Sequence, residues 1–67
     1  MFVKVIELVG TSRKNWTDAV DSAVQQATRT IDDVLGVEVT NFTANVNNGQ
    51  ISEYRADIKV AFQVHNS

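Results

Sequence analysis

The spacing of apolar residues changes along the chain and divides it into a helix and three strands. Between Asn15 and Leu35 apolar residues recur at steps of three, four and seven, which predicts an amphipathic helix. The predicted apolar stripe consists of Trp16, Ala19, Val20, Ala23, Val24, Ala27, Ile31, Val34 and Leu35. A helix of about 21 residues is roughly 30 Å long. It would span a domain of 67 residues, and the flanking segments would form its sheet.

Capping residues mark both ends of this predicted helix. Asn15 is the expected N-cap, with Ser12 as the alternative, and the Asp18 carboxylate complements the positive end of the helix dipole. Gly36 can adopt a positive φ angle, which suits a helix C-terminus. The sequence therefore predicts that the helix ends just before Gly36.

Three segments are rich in β-branched and aromatic residues and are predicted to be strands: Phe2 to Val9, Val37 to Asn47, and Gln50 to Val64. Asn48-Gly49 between the last two predicts a type I′ hairpin. The expected fold is α+β with β-α-β-β order, a three-stranded antiparallel sheet on one long helix. The third strand would lie between the first and second, so that the helical crossover is right-handed.

The hairpin also predicts which residues share a face of the sheet. If Asn47 is opposite Gln50, then Val39 is opposite Ile58 and Thr43 is opposite Tyr54, all toward the helix. Four apolar residues would then lie together on the other face: Phe42, Ala44, Val46 and Ile51. That face would also carry a belt of charged and polar residues: Glu38, Glu53, Arg55, Asp57, Lys59 and Gln63. We expect Phe42, Val46 and Ile51 to be buried between subunits, because exposed apolar patches usually mark contacts with partners.

Length and composition agree with self-association. A single domain over residues 1–67 buries only about 60% of its unfolded surface, and the sequence has no cysteine for a disulfide and one histidine, His65. A net charge of −2 without a basic block disfavours nucleic acid. No segment has the apolar length of a membrane span or the pattern of a signal peptide, so a cytoplasmic protein without a membrane partner is expected.

The polar residues do not combine into a catalytic site. No nucleophile, base and orienting group share a recognisable spacing, and no glycine-rich phosphate loop is present, so an enzyme is disfavoured. Glu38, Glu53 and Asp57 could supply oxygen ligands to calcium at a symmetry axis. The alternative is an ion-paired interface in which Arg55 and Lys59 neutralise these carboxylates.

Other single residues have structural interpretations. Trp16 is expected in the core or at a subunit boundary, Tyr54 in the core, and His65 in solvent. Asp32-Asp33, at the negative end of the helix dipole, is expected to be solvated and paired with Arg29; the alternative is a bound cation or a partner's basic group.

The order of these motifs resembles the dodecin family. The resemblance rests on residues 5–12 (VIELVGTS), the alanine-punctuated helix with Trp16, and residues 53–55 (EYR) leading into 59–62 (KVAF). It implies a βαββ subunit, assembly into a hollow homododecamer, and binding or storage of a small ligand, which in many dodecins is a stacked pair of flavins.

The resemblance also identifies candidate ligand-binding positions. In flavin-binding dodecins a tryptophan after the helix stacks on the flavin and a glutamine after the third-strand tyrosine binds it; this chain has Gly36 and Arg55 there. With Gln63, these residues would line the pocket. The chain is similar to the subgroup that lacks this tryptophan, some members of which are linked to calcium. A calcium-linked or structural assembly is therefore the alternative to a flavin-type binding protein, and an adaptor that receives another protein is a third hypothesis.

Overall fold

The computed structural model describes residues 2–65, which form one helix and three strands. They are β1 (Phe2–Ser12), α1 (Trp16–Thr30), β2 (Val34–Asn47) and β3 (Gln50–Val64). The antiparallel sheet has the order β1-β3-β2, so the predicted β-α-β-β fold with β3 in the centre is confirmed. No helix within the described range is long and apolar enough to cross a membrane.

The start of α1 follows the sequence prediction. The Asn15 side chain accepts a hydrogen bond from the Asp18 backbone N–H at 2.7 Å, so Asn15 is the N-cap. Ser12, the alternative cap, instead donates its hydroxyl to the Asp18 carboxylate at 2.6 Å. The same Ser12 oxygen accepts the backbone N–H of Lys14 at 2.9 Å. These bonds fix the turn between β1 and α1.

The end of α1 does not follow the prediction. The helix stops at Thr30, Ile31 is extended, and β2 begins at Val34, so the last apolar residues of the predicted stripe belong to a turn and a strand. Gly36 lies within β2 and does not cap the helix. The positive φ angle of the α1–β2 turn belongs to Asp33, at 59°. The spacing of apolar residues could not predict that the helix ends at Thr30, because a short apolar run is compatible with a helix and with a strand.

Asp33 connects the α1–β2 turn to the C-terminal end of β3. Its carbonyl oxygen accepts the Gln63 N–H at 3.1 Å, and its carboxylate contacts the His65 ring nitrogen Nε2 at 2.5 Å. His65 was expected in solvent, and its side chain is indeed 67% exposed, but the contact with Asp33 holds it at one edge. The contact with His65 takes the place of the predicted pairing of this carboxylate with Arg29.

Extra residues in the β2–β3 pairing change the predicted faces. The Asn48-Gly49 turn has two positive φ angles, as expected. Thr40 is an extra residue in β2, and Ser52 is an extra residue in β3. Thr43 is therefore opposite Arg55 rather than Tyr54.

One extra residue moves the following side chains to the other face of a sheet. Phe42 is paired with Ala56 and Ala44 with Tyr54, both toward the helix side, and Val46 and Ile51 pair farther along the same side. The prediction that these four apolar residues lie on the face away from the helix is wrong.

Small residues form most of the core between α1 and the sheet. The buried apolar residues are Ala19, Ala23, Ala27, Ala56, Ile58 and Val60. The helix approaches β1 so closely that a Cβ atom added to Gly10 would lie 2.0 Å from the Ala19 carbonyl oxygen. The subunit is consequently thin, with Cα extents of 53 × 19 × 13 Å.

The close approach of α1 to β1 predicts the effect of adding a methyl group at Gly10. Gly10→Ala should lower the free energy of unfolding by about 1–3 kcal/mol, because the helix must move away from β1. Gly36→Ala is the matched control, since an added Cβ there meets nothing within 4 Å, and its effect should stay below about 0.5 kcal/mol. Urea unfolding at one fixed protein concentration measures both. Equal effects would contradict the close approach.

Candidate functional site

The sheet surface turned away from α1, here called the far face, carries the predicted site residues. Odd-numbered residues of β3 from Glu53 to Gln63 lie on it, flanked by rows from the two outer strands. Lys59 lies between Glu7 and Glu38, and Arg55 between two threonines. Within residues 2–65 no helix covers this face, so it is open to a ligand or to another subunit.

A concavity of about 600 Å³ lies at the Gly36 end of the sheet. Its lining residues are Val5, Gly36, Val37, Glu38, Lys59 and Ala61. Because the backbone at Gly36 does not require glycine and the space beside it is empty, the concavity could accommodate a larger side chain or a ligand. Its aliphatic floor and its two oppositely charged side chains suit a flat molecule with polar edges.

The three predicted ligand-binding residues all lie along the far face, but only two of them are close together. Gly36 is paired with Ala61, two residues from Gln63. Arg55 lies farther along β3, about 20 Å from Ala61 at about 3.3 Å per residue. One subunit therefore cannot bring Arg55 to the concavity.

The three predicted calcium-binding residues are also separated within the subunit. Glu38 is opposite Lys59, and Asp57 is opposite Asn41. Glu53 is opposite Asn45 and accepts its side-chain N–H at 3.3 Å. Across residues 2–65, no three acidic, histidine or cysteine side chains are grouped closely enough to hold a metal ion. A site made from these carboxylates would need more than one copy of the chain.

A second surface is formed by aromatic residues at the start of α1. Trp16 packs edge-on against Tyr54, with ring centroids 4.8 Å apart, and against Phe42 at 6.3 Å. Its indole Nε1–H donates to the Thr43 carbonyl at 2.9 Å. An open cleft of about 310 Å³ lies between Trp16 and Phe42.

We call this surface, together with the neighbouring hairpin residues, the aromatic patch: Trp16, Phe42, Val46 and Ile51. These side chains are 38%, 51%, 68% and 45% exposed, respectively. The sequence identified Trp16 as a core or boundary residue and the other three as an apolar group. The sequence did not predict that these four side chains form one surface, because nothing in it marks Thr40 and Ser52 as extra residues in the strand pairing. Their hydroxyl groups donate to the Asp57 and Asn45 carbonyls of the neighbouring strand.

Comparisons with known proteins agree with the fold and with the motif order. The dodecin family model matches residues 2–65. Calcium dodecin of Mycobacterium tuberculosis is 33% identical over 61 residues, covering 91% of this chain and 86% of that protein. The structure of dodecin from Streptomyces coelicolor superposes with a TM-score of 0.94 at 30% identity, covering 98% of this chain and 94% of that chain.

The crystal structure of M. tuberculosis calcium dodecin is also similar. Its TM-score is 0.86 at 34% identity, with 100% of this chain and 96% of that chain covered. It is described as a calcium-chelating antigen with a novel calcium-binding site. The backbone is thus more similar to the Streptomyces protein and the sequence slightly more similar to the mycobacterial one. The match over residues 2–65 and the identity over most of both chains establish that this chain belongs to the dodecin family.

Proposed function

We propose that the chain is a non-enzymatic, dodecin-type binding protein that assembles into a closed homododecameric shell and stores a small ligand between subunits. One observation carries the proposal: among the described residues, ten large apolar side chains are more than a third exposed, whereas the buried apolar core has six residues, four of them alanine. An isolated subunit would leave this apolar surface in water. Contact with other copies of the chain is the simplest way to bury this apolar surface.

The aromatic patch provides a direct test of assembly. Val46→Asp would bury an unpaired carboxylate between subunits, which costs several kcal/mol, so the dissociation constant of the assembly should rise at least about tenfold. Val46→Ile keeps the site apolar and should assemble as the parent does. Native mass spectrometry counts the subunits, and circular dichroism checks that each variant is folded. A folded parent chain that stays monomeric at high concentration would overturn the proposal.

The far-face concavity is the proposed location of the ligand. Its aliphatic floor can receive one side of a flat ring system, while Lys59 and Glu38 offer a donor and an acceptor at the rim. Gln63 lies one row beyond, and Arg55 would have to come from a neighbouring subunit. Flavin has the right shape, but position 36 offers no aromatic ring for stacking.

Restoring an aromatic ring tests the position of this ligand. Gly36→Trp places an indole in open space on the far face. Stacking on an aromatic ring contributes about 1–3 kcal/mol, so riboflavin should bind roughly 5- to 150-fold more tightly to this variant than to the parent. Gly36→Ala is the control and should bind like the parent. Flavin fluorescence quenching measures the affinities. No gain for Gly36→Trp in an assembled protein would place the ligand elsewhere.

Calcium is the second candidate ligand. It is favoured by the carboxylates Glu38, Glu53 and Asp57 on the open far face, and by a relative named as a calcium dodecin at 33% identity. Symmetry-related copies could gather carboxylates that one subunit keeps apart.

Isosteric substitutions test the calcium hypothesis. If these carboxylates bind calcium, Asp57→Asn or Glu53→Gln should weaken binding to the assembled protein at least tenfold, because a hard cation needs charged oxygen ligands. Asp21→Asn, on the exposed surface of α1, should leave the affinity unchanged. Calorimetric titration with calcium chloride provides the constants. Absence of heat with the parent assembly would eliminate calcium as its ligand.

A further inference from the structure

The tip of the β2–β3 hairpin carries the asparagine-glycine step of the sequence, Asn48-Gly49. Both residues are exposed, and a Cβ atom added to Gly49 would meet nothing within 4 Å. Solvent therefore reaches the Gly49 peptide nitrogen. The Cγ atom of the Asn48 side-chain amide is an electrophile with which this nitrogen can close a five-membered ring.

The other asparagines of residues 2–65 are less suited to this ring closure. A side chain on the following residue obstructs the approach of that residue's backbone nitrogen. The asparagines with such a follower are Asn15, Asn41, Asn45 and Asn47. Two of them also hold their side chains in hydrogen bonds, Asn15 as the helix cap and Asn45 as a donor to Glu53. Asn48 is therefore the reactive asparagine of this range.

We propose that Asn48 is a site of spontaneous deamidation, and that the native turn controls the rate of the reaction. The Gly49 nitrogen loses its proton to hydroxide and attacks Cγ of Asn48. The new C–N bond closes a succinimide, the Cγ–Nδ2 bond breaks, and the departing nitrogen takes a proton from water and leaves as ammonia. Water then opens the ring at Cγ, which gives aspartate, or at the backbone carbonyl, which gives isoaspartate. Either route consumes one water and releases one ammonia.

The turn holds the two reacting atoms apart. Asn48 and Gly49 have φ angles of 53° and 74°, the pair of positive values typical of a type I′ turn. In this turn the ψ angle of the first central residue is about +30°, which places the Gly49 nitrogen nearly opposite Cβ of Asn48 across the Cα–C bond. Ring closure needs these two atoms on the same side. The hairpin tip must therefore open first, and the fraction of time that it is open limits the rate.

Either product changes the hairpin tip. Isoaspartate adds a backbone carbon to a two-residue turn closed by Asn47 and Gln50, so the geometry that sets this pairing is lost. Aspartate keeps a turn of the Asp-Gly kind but adds a negative charge to a chain whose net charge is −2. The change lies beside the Val46–Ile51 pair. This inference concerns the hairpin of one subunit and does not depend on the proposed assembly.

Peptide mass spectrometry tests the site and its control by the turn. The purified chain and the same chain unfolded in urea are incubated side by side at mildly alkaline pH, and conversion at each asparagine is followed over time. In both samples Asn48 should be converted before any other asparagine of residues 2–65. The unfolded chain should react at least about tenfold faster, because a tip that is open a tenth of the time or less reacts in proportion. Enzymatic methylation of isoaspartate distinguishes the two products.

Two variants separate the chemistry from the opening of the turn. Asn48→Gly keeps residues that accept positive φ angles and removes the electrophile, so conversion at the tip should disappear. Ser52→Ala removes the hydroxyl bond to the Asn45 carbonyl near the tip, 3.2 Å long. The tip should open more often, so the folded chain should react roughly 2- to 10-fold faster, while the unfolded chain should react as the parent does.

The outcomes that contradict the proposal are distinct. No conversion at Asn48 in the unfolded chain, or earlier conversion at another asparagine of residues 2–65, would show that the site is wrong. Equal rates in the folded and unfolded parent, or a folded Ser52→Ala chain that reacts no faster than the parent, would show that the turn does not control the reaction.

Discussion

The close approach of α1 to the sheet is the constraint on which the rest of the subunit depends. Gly10 has no side chain because the backbone of Ala19 occupies that space, and Ala23 packs beside it. A helix this close to the sheet leaves little volume for large residues in the core, so the valine, phenylalanine and tryptophan side chains lie mainly outside it. The subunit is therefore well packed at its centre and incomplete at its surfaces, which is the physical basis for expecting assembly.

The two exposed surfaces have different chemistry, and this difference bears on the proposed shell. The aromatic patch is apolar and is held by the Trp16 indole bond to the Thr43 carbonyl, whereas the far face combines exposed valines with alternating charges. A shell with more than one kind of rotation axis needs more than one kind of contact. An apolar patch contributes affinity but specifies the alignment of two copies only weakly. A face with charges of both signs specifies that alignment better. One chain of 67 residues can thus supply both.

The far face separates the residues that the proposed ligand would need. Gly36 and Gln63 lie near one end of the sheet, Arg55 lies about 20 Å away at about 3.3 Å per residue, and the carboxylates are distributed between them. No single subunit collects these groups. The proposed ligand site therefore depends on the proposed assembly.

Local sequence determined the features that depend on neighbouring residues: the Asn15 cap, the Asn48-Gly49 turn, the identity of the strands and, through the handedness of the crossover, their order. The family resemblance was also readable from motif order. Tertiary structure decided the end of α1, where pairing of Val34 with Phe62 of the central strand competes with continuation of the helix. It also decided the face of Phe42 and Val46, because Thr40 is accommodated as an extra residue only against the register of β3. Such a choice depends on pairing between distant segments, and apolar periodicity within one segment contains no information about it.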